Sequence, residues 1–304
     1  MHKSVLLDEC IHYLNLKDDS VIVDCTLGYG GHSSEILKRI PNGFLYAFDQ
    51  DLDAINSSQK RLSELASNYE IIKSNFVNLR KELTKRTDLV DGILYDLGVS
   101  SPQLDEDERG FSFHKDARLD MRMDKSSPFS AYDVVNTYSY EELTNILYKY
   151  GEEKYASSIV KNIIKKREIK PIETTLELAE IIKESVPEKY RRDKHPARKT
   201  FQAIRIEVNH ELDVFETSIK DALDLIKVGG RVCVITFHSL EDRMCKQIFK
   251  EVSEVDNLLR KLPIIPEDKM PKFKVIANIS PSLEELEFNN RARSARLRVI
   301  ERVR

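Results

Sequence analysis

The chain has 304 residues, 41% of them hydrophobic and 33% charged, with a formal net charge of -3 at pH 7. This composition predicts an ordinary globular protein, built as one large domain or two smaller ones. It excludes an overall basic field, so any binding of nucleic acid must come from local patches.

Leader and membrane signals are absent from the sequence pattern. The first residues, MHKSVLLDECIHYL, do not form a charged leader before a long apolar stretch, and no window approaches the roughly 18 apolar residues of a membrane span. A cytoplasmic protein is therefore expected. Cys10, Cys25, Cys233 and Cys245 form no C-x-x-C pair, which predicts buried reduced thiols rather than disulfides or zinc ligands.

The first hundred residues alternate β-branched runs with helical patterns. The runs VIVDC, FLYAFD, YEIIKSNF and DGILYDLGV are separated by patterns such as SSEILKRI and LDAINSSQKRLSELA. This alternation predicts βαβ units, and hence a Rossmann-like α/β sheet with helices on both faces.

A long interval then interrupts the sheet. About 130 residues separate the strand ending near Val99 from the one starting near Arg231, whereas a crossover typically needs about 30. Helical patterns in SYEELTNILYKYGEEKYASSIVKNIIKKRE and TLELAEIIKESV predict an inserted helical subdomain at residues 110–200, between sheet-domain segments 1–109 and 201–304. Because ligands bind at the carboxyl edge of such a sheet, the insert is expected to recognise and cover a substrate.

The C-terminal third returns to the sheet. The pattern FQAIRIEVNHELDVFETSIKDALDLIKVGG predicts one long amphipathic helix stopped by Gly229 and Gly230, and RVCVITF predicts the strand after it. Two last strands, KFKVIANI and ARLRVIERV, are expected to pair antiparallel to each other.

The glycine-rich turn DCTLGYGGHSS, residues 24–34, indicates a ligand site. A dinucleotide fingerprint starting at Gly28 would need glycine at position 33, where this chain has Ser33, so NAD is disfavoured. An acid at the strand end followed by Thr26, Gly28 and Gly30 is more typical of the S-adenosylmethionine loop of Rossmann-like methyltransferases. Glycines let the backbone approach such a ligand closely, and amides opening the next helix can face its carboxylate.

Two further residues are candidates to bind this cofactor. Asp49, at the end of the second strand run, is placed to accept hydrogen bonds from both ribose hydroxyls, each worth roughly 1.5–3 kcal/mol when the acceptor is charged. The alternative is an N-cap of the helix in DQDLDAI. Phe76, after the third run, is a candidate to stack on adenine, and an ordinary core position is its alternative.

Asp96 ends the fourth strand run and is the candidate catalytic residue. Methyl transfer is an in-line displacement, and an exocyclic amine is a poor nucleophile because its lone pair is conjugated into the ring. A carboxylate that accepts one N–H bond directs that pair toward the methyl group and helps the proton leave. Enzymes acting on such amines often follow the acid with two prolines and an aromatic, whereas this chain reads D-L-G-V-S-S-P, with Gly98, Ser101 and Pro102 in the turn. Cofactor binding alone, or a plain turn acid, therefore stays open.

Other chemistry is disfavoured. The segment TFHSLED contains His238, Ser239 and Asp242 but no G-x-S-x-G elbow, so it predicts a strand end with Ser239 as a helix N-cap. The P-loop pattern is absent, and the histidines show no metal-ligand spacing.

Two basic segments favour RNA as a partner. The tail RARSARLRVIERVR has six arginines in fourteen residues, and KYRRDKHPARKTFQ, residues 189–202, also carries Tyr190 and Phe201. Arginine pairs well with phosphate, although solvated surface charge is the alternative for each segment alone.

The sequence resembles the family of ribosomal RNA small-subunit methyltransferase H, also called RsmH or MraW, from residue 2 to about 298. The segments that carry the resemblance are HKSVLLDE, DCTLGYGGHS, AFDQD, DLGVSSPQLD, RGFSF with LDMRMD, YGEE, HPARKTFQAIRIEVNHEL, GGRVCVITFHSLEDR and RARSARLR. The resemblance implies methyl transfer from S-adenosylmethionine to N4 of a cytidine in the decoding region of 16S rRNA, on the small ribosomal subunit.

Matching motif positions imply which residues contact the cofactor, and His32 and Gln103 come mainly from the resemblance. The implied contacts are Gly30, Gly31, His32, Asp49, Phe76, Asp96 and Gln103. The chain departs from the family at three positions that concern substrate affinity: Ala117 and Arg118 replace glycine and proline, and Asn290 replaces a common proline.

Two other functions stay open from the sequence. One is a methyltransferase acting on DNA or protein, which the basic tail does not exclude. The other is a non-catalytic RNA-binding factor in ribosome assembly, against which the intact loop with Asp49 and Asp96 argues. Both a monomer and a homodimer are compatible with the sequence.

Overall fold

The computed structural model describes residues 4–100, 103–104, 106–193, 195–256, 259 and 265–304. The chain forms two compact units, Met1–Gly98 with Leu212–Arg304, and Val99–Glu211. By this division residues 99–109 and 201–211, which the sequence groups with the sheet, belong to the second unit. Ser101 and Pro102, expected in the turn after the fourth strand, lie outside the described residues.

The strands belong to the first unit, and the helices are divided between the two units. The strands are β1 (Val21–Asp24), β2 (Phe44–Asp49), β3 (Tyr69–Lys73), β4 (Val90–Asp96), β5 (Ile226–Thr236), β6 (Phe273–Ile279) and β7 (Arg296–Arg302). The helices are α1 (Leu7–Tyr13), α2 (Gly31–Leu37), α3 (Leu52–Ser63), α4 (Leu79–Leu83), α5 (Ala131–Thr137), α6 (Tyr140–Gly151), α7 (Ala156–Arg167), α8 (Thr175–Glu184), α9 (Glu188–Asp193), α10 (Arg198–Asn209), α11 (Glu211–Leu225), α12 (Ser239–Ser253) and α13 (Leu283–Phe288).

The strands form one sheet in the order β3-β2-β1-β4-β5-β7-β6. Strands β1 to β5 pair parallel, and β7 pairs antiparallel with both β5 and β6. The predicted Rossmann-like α/β class and the antiparallel last pair are both confirmed. Because β1, β2 and β4 are parallel, their carboxyl ends meet at one edge of the sheet, and each of them ends in an aspartate.

Helices cover both faces of the sheet because its strands are apolar on both sides. In β4, Ile93 and Tyr95 join the core that also contains Phe215 of α11, whereas Leu94 joins the core that contains Ile36 of α2. Successive side chains of a strand point to opposite faces, so one strand supplies both cores. All four cysteines are buried free thiols, as predicted.

The predicted single long helix before β5 is wrong in two respects. His210 has a left-handed backbone, with φ of 50°, and separates α10 from α11. Moreover, α11 ends at Leu225, and β5 already includes Gly229 and Gly230. The pairing register between β4 and β5 shifts at this point, so the glycines lie in an irregularity of the strand instead of capping the helix.

The second unit is helical. A Cβ on Gly151, the last residue of α6, would lie 2.9 Å from the carbonyl oxygen of Lys199 in α10, so glycine permits the close packing of these two helices. After α6, the fully buried Glu153 accepts hydrogen bonds from the Tyr155 amide and the Tyr190 hydroxyl. Within the described ranges, no helix is long and apolar enough to cross a membrane.

Candidate functional site

The loop after β1 is tied to the end of β4 by a threonine. The Asp96 amide donates to Thr26 Oγ1 at 2.6 Å, and the Thr26 amide donates to Asp24 Oδ1 at 3.0 Å. Ser33 Oγ donates to the other Asp24 oxygen at 2.7 Å. Thr26 therefore links the ends of β1 and β4, a role beyond occupying a position where many such loops carry glycine. Sequence reasoning missed this role because the Asp96 amide is distant along the chain.

Glycines shape the turn between β1 and α2. Gly28 and Gly30 have positive φ values of 50° and 75°, a backbone region that glycine adopts at little cost. The Gly28 carbonyl accepts a hydrogen bond from Ser58 Oγ of α3 at 2.6 Å. Gly31 begins α2, and a Cβ there would overlap the Ser4 hydroxyl in its present rotamer. Ser58 and Ser4 thus pack against the glycine turn and leave little room for a side chain there.

Asp49 lies at the end of β2 and holds the glycine turn. Its Oδ2 accepts from the Gly28 amide and its Oδ1 from the Asp51 amide, both at 2.8 Å. Burial raises the pKa of Asp49 to about 6, although these amides lower it. The alternative reading of Asp49 as the helix cap is wrong, because Asp51 caps α3 by accepting from the Asp53 amide.

Asp96 and His32 face each other at the end of β4. His32 Nδ1 lies 3.6 Å from Asp96 Oδ2, and His32 Nε2 lies 3.2 Å from the Val5 carbonyl oxygen. Burial raises the pKa of Asp96 to about 6, partly offset by His32 and reinforced by Asp24. Asp96 Oδ1 is buried and has no hydrogen-bond partner among the described residues. The carboxylate is thus held on one side and open to a donor on the other.

Phe76 follows β3 in a 3-10 turn at the same edge. It is half-buried, and its ring lies edge-on to Tyr95, with centroids 5.6 Å apart. Tyr95 is fully buried, and its hydroxyl contacts Ser218 Oγ at 2.7 Å. Phe76 therefore packs on the core while keeping part of its ring exposed, which is compatible with both readings of this residue.

Gln103 belongs to the second unit. Its side chain is buried, and its Oε1 accepts a hydrogen bond from the Ser100 amide at 3.0 Å. The other implied cofactor contacts, Gly30, Gly31, His32, Asp49, Phe76 and Asp96, all lie in the first unit.

The residues at the sheet edge fit S-adenosylmethionine. The turn at Gly28 and Gly30 presents backbone without side chains, and the Asp49 carboxylate is oriented by two amides. Asp96 Oδ1 is buried without a partner among the described residues, and this carries an energetic cost that a donor from a bound molecule would remove. When bound, this cofactor would supply an electrophilic methyl group on a sulfonium.

Downstream of β5, the predicted cap is wrong. His238, not Ser239, is the N-cap of α12, and it forms a capping box with Glu241. Asp242 binds Arg298 of β7 through two hydrogen bonds of 2.7 and 2.9 Å. Burial alone would raise the pKa of Asp242, but Arg298 brings it below its usual value. One of the six tail arginines is therefore buried within the fold.

The sheet order and this site define a class I S-adenosylmethionine-dependent methyltransferase fold. The sequence matches the profile of the MraW methylase family over residues 1–303. Ribosomal RNA small subunit methyltransferase H of Exiguobacterium sibiricum is 54% identical over 307 positions, covering 100% of this chain and 98% of that protein. The enzyme of the same name from Finegoldia magna is 51% identical, covering 99% and 98%.

The chain belongs to the MraW methylase family, and its cofactor is S-adenosylmethionine. Among solved structures, a putative methyltransferase from Streptococcus mutans in complex with SAH covers 99% of both chains at 13% identity, with a TM-score of 0.46.

Proposed function

We propose that the protein transfers a methyl group from S-adenosylmethionine to the exocyclic N4 of a cytidine in the decoding region of 16S rRNA. The relatives at 54% and 51% identity are both named as methyltransferases of small-subunit ribosomal RNA. That likeness supports the RNA substrate, and the resemblance of the motifs supports the position on the base.

The observation that carries the proposal is the environment of Asp96. Its Oδ1 is buried and lacks a partner among the described residues, while its Oδ2 faces His32. An exocyclic amine has two N–H donors. When one of them donates to Oδ1, the nitrogen lone pair is oriented and the positive charge that develops on nitrogen is stabilised.

The other residues hold the reactants. We propose that Asp49 accepts hydrogen bonds from the ribose hydroxyls, that Phe76 packs on the adenine, and that Gly30, Gly31, His32 and Gln103 complete the cofactor site. The cofactor would supply the methyl group, its carbon–sulfur bond breaking to leave the thioether as the carbon–nitrogen bond forms, and the amine would release its proton to solvent. Asp96 assists that loss by polarising the N–H bond.

The target base must leave its stack to reach Asp96, at a cost of a few kcal/mol. We assign that work to the helical segment at residues 110–200, which the basic character of residues 189–202 supports.

The test is transfer of labelled methyl to small ribosomal subunits from a strain that lacks this protein, followed by nucleoside analysis. Label in N4-methylcytidine that disappears with Asp96→Ala is the expected result. Label in another nucleoside would refute the position. If S-adenosylmethionine binds but RNA stays unlabelled, the substrate is to be sought in DNA, protein or another stage of subunit assembly. Absence of cofactor binding would favour a non-catalytic RNA-binding factor.

A further inference from the structure

A cleft of about 700 Å³ lies within the second unit. Its walls come from α8, from α9, from the segment before α10 and from the loop that carries Phe113, and they include Lys183, Arg191 and His195. The cleft overlaps the basic segment 189–202 identified in the sequence. However, it uses different aromatic residues from those that the sequence suggests.

The aromatic residues named from the sequence are committed to the fold. Phe201 is buried, and the Tyr190 hydroxyl donates to the buried Glu153 at 2.8 Å. Phe113 and His195 instead form a stacked pair, with centroids 4.4 Å apart and planes inclined by 19°.

The ring pair packs against the buried Phe201 on one side and reaches the surface on the other. Phe201 packs edge-on against Phe113 with a centroid distance of 5.5 Å, which connects the pair to the core. His195 is exposed, and His114 approaches its ring edge-on at 5.3 Å. Burial, with smaller effects of His114 and Lys183, lowers the pKa of His195. A packed ring pair that reaches the surface is a stacking platform.

Beside this platform lies Arg191, for which no ion pair is found among the residues whose side chains the structure describes. The Arg191 guanidinium donates from Nε and Nη2 to the Val186 carbonyl oxygen at 3.1 and 3.0 Å. That contact orients the guanidinium group, but a carbonyl oxygen does not neutralise its positive charge. Lys183, in contrast, pairs with Glu180 of the same helix at 3.1 Å.

We propose that this ring-pair cleft binds one unpaired nucleotide of single-stranded RNA, with its base stacked on the outer face of the Phe113–His195 ring pair and its phosphate bound by Arg191. Stacking and a phosphate contact side by side are the usual means of binding an unpaired nucleotide. The inference rests on the proposed function in one respect, since it takes RNA as the substrate. It adds a binding site away from the reacting base.

The test measures binding of a labelled short single-stranded RNA to the full chain, over a range of salt concentrations. Phe113→Leu, which keeps apolar bulk but removes the ring, is expected to weaken binding roughly five- to hundredfold. Phe113→Tyr restores a ring and is expected to bind like the wild type. Arg191→Gln is expected to reduce the slope of log affinity against log salt by about 0.7, while Phe113→Leu leaves that slope unchanged.

Phe288→Ala is the matched control, because Phe288 is an aromatic residue of the first unit that is 84% exposed. The affinity of each variant for S-adenosylmethionine reports whether the first unit stays intact. Equal RNA affinity for Phe113→Leu and Phe113→Tyr would overturn the inference. A variant that binds free RNA normally but no longer binds assembled subunits would also overturn it, because the ligand would then be a ribosomal protein.

The two proposals fail separately. If the wild type does not form N4-methylcytidine but the ring dependence of RNA binding is found, the cleft stands and the reaction is wrong. If methylation is normal and RNA binding does not depend on the ring at position 113, the proposed nucleotide site is wrong and the proposed reaction stands.

Discussion

His32 Nδ1 lies 3.6 Å from Asp96 Oδ2, and this contact joins α2, the helix that follows the glycine turn, to the end of β4. It is long for a hydrogen bond but within ion-pair distance. The contact holds one oxygen of the carboxylate, and the other oxygen has no hydrogen-bond partner among the described residues. The Asp96 amide, not its side chain, bonds to Thr26, so substitutions of Asp96 test the proposed chemistry while that bond stays in place.

Asp96→Asn is expected to lower kcat about 100-fold or more at saturating S-adenosylmethionine, in line with the usual contribution of a positioned acid or base. In the wild type, kcat/KM should rise with pH through about 6, because burial raises the pKa of Asp96 in the free protein to about 6 and the ionised form accepts the N–H bond. The measurement is a pH profile of methyl transfer. An unchanged acid limb in Asp96→Asn would assign that limb to another group.

The same substitution should stabilise the free protein above pH 6. The pKa of Asp96 is about 6 in the folded state and 3.8 as an ordinary carboxyl, so the folded state binds more protons between these values. Stability from this group is therefore lost as pH rises from about 4 to 6 and stays lost above. Allowing for a side chain that is 26% exposed, Asp96→Asn should raise the free energy of unfolding at pH 8 by about 1–3 kcal/mol. Urea unfolding at pH 8 and pH 4 checks this, since the gain should vanish at pH 4.

Asp49→Ala is expected to weaken S-adenosylmethionine binding at least about 100-fold, because the two ribose hydrogen bonds proposed for this charged acceptor would be lost. Affinity in the wild type should also fall below pH 6, since burial raises the pKa of Asp49 to about 6. Calorimetric titration measures both effects. Asp19→Asn, at an exposed acid, removes the same charge and should bind normally. Equal affinities for the two variants would remove Asp49 from the site.

Two neighbouring glycines should respond differently to alanine. Gly30 has a φ of 75°, and a Cβ there would lie 3.3 Å from Ser58 Oγ, so Gly30→Ala should cost about 1–2 kcal/mol of stability and weaken cofactor binding. Gly31 has no such backbone strain, and the Ser4 hydroxyl that blocks a Cβ can rotate away. Gly31→Ala should therefore be milder, and Ser4→Ala should relieve what defect remains. Thermal unfolding and cofactor titration rank the variants, and the reverse order would contradict this account.

The alternation of β-branched runs with helical patterns, and the acids at strand ends, made much of the sheet predictable. The strand of Asp49 and the strand of Asp96 were recognisable because each apolar run ends in an acid before a turn. Local helix ends were harder to predict. Asp49 was a candidate cap of α3, but Asp51 accepts from the Asp53 amide, and Asp49 accepts from the Gly28 amide, which is distant along the chain. The long helix through His210 was predicted whole because one left-handed residue leaves no mark in the periodicity.

Contacts between distant segments could not be read from the sequence. Thr26 looked like a substituted glycine, although its hydroxyl accepts the Asp96 amide. Phe113 drew no attention beside Tyr190 and Phe201, because stacking on His195 depends on how the helices pack. Arg298 looked like a phosphate ligand, although Asp242 binds it inside the fold.

The pairing of Arg298 with Asp242 gives the last prediction. The Arg298 side chain is 10% exposed and that of Asp242 is 28% exposed, so losing Asp242 leaves the more deeply buried charge without its partner. Asp242→Leu should therefore cost about 3–5 kcal/mol, and adding Arg298→Met should recover most of it, because an apolar pair replaces a buried ion pair well. Arg80→Ala is the control, since Arg80 is 46% exposed in its pairs with Asp221 and Asp224 and should cost under about 1 kcal/mol. Urea unfolding of the four variants measures the coupling. Additive costs for Asp242→Leu and Arg298→Met would show that Arg298 acts independently of Asp242, as a surface arginine free to bind phosphate would.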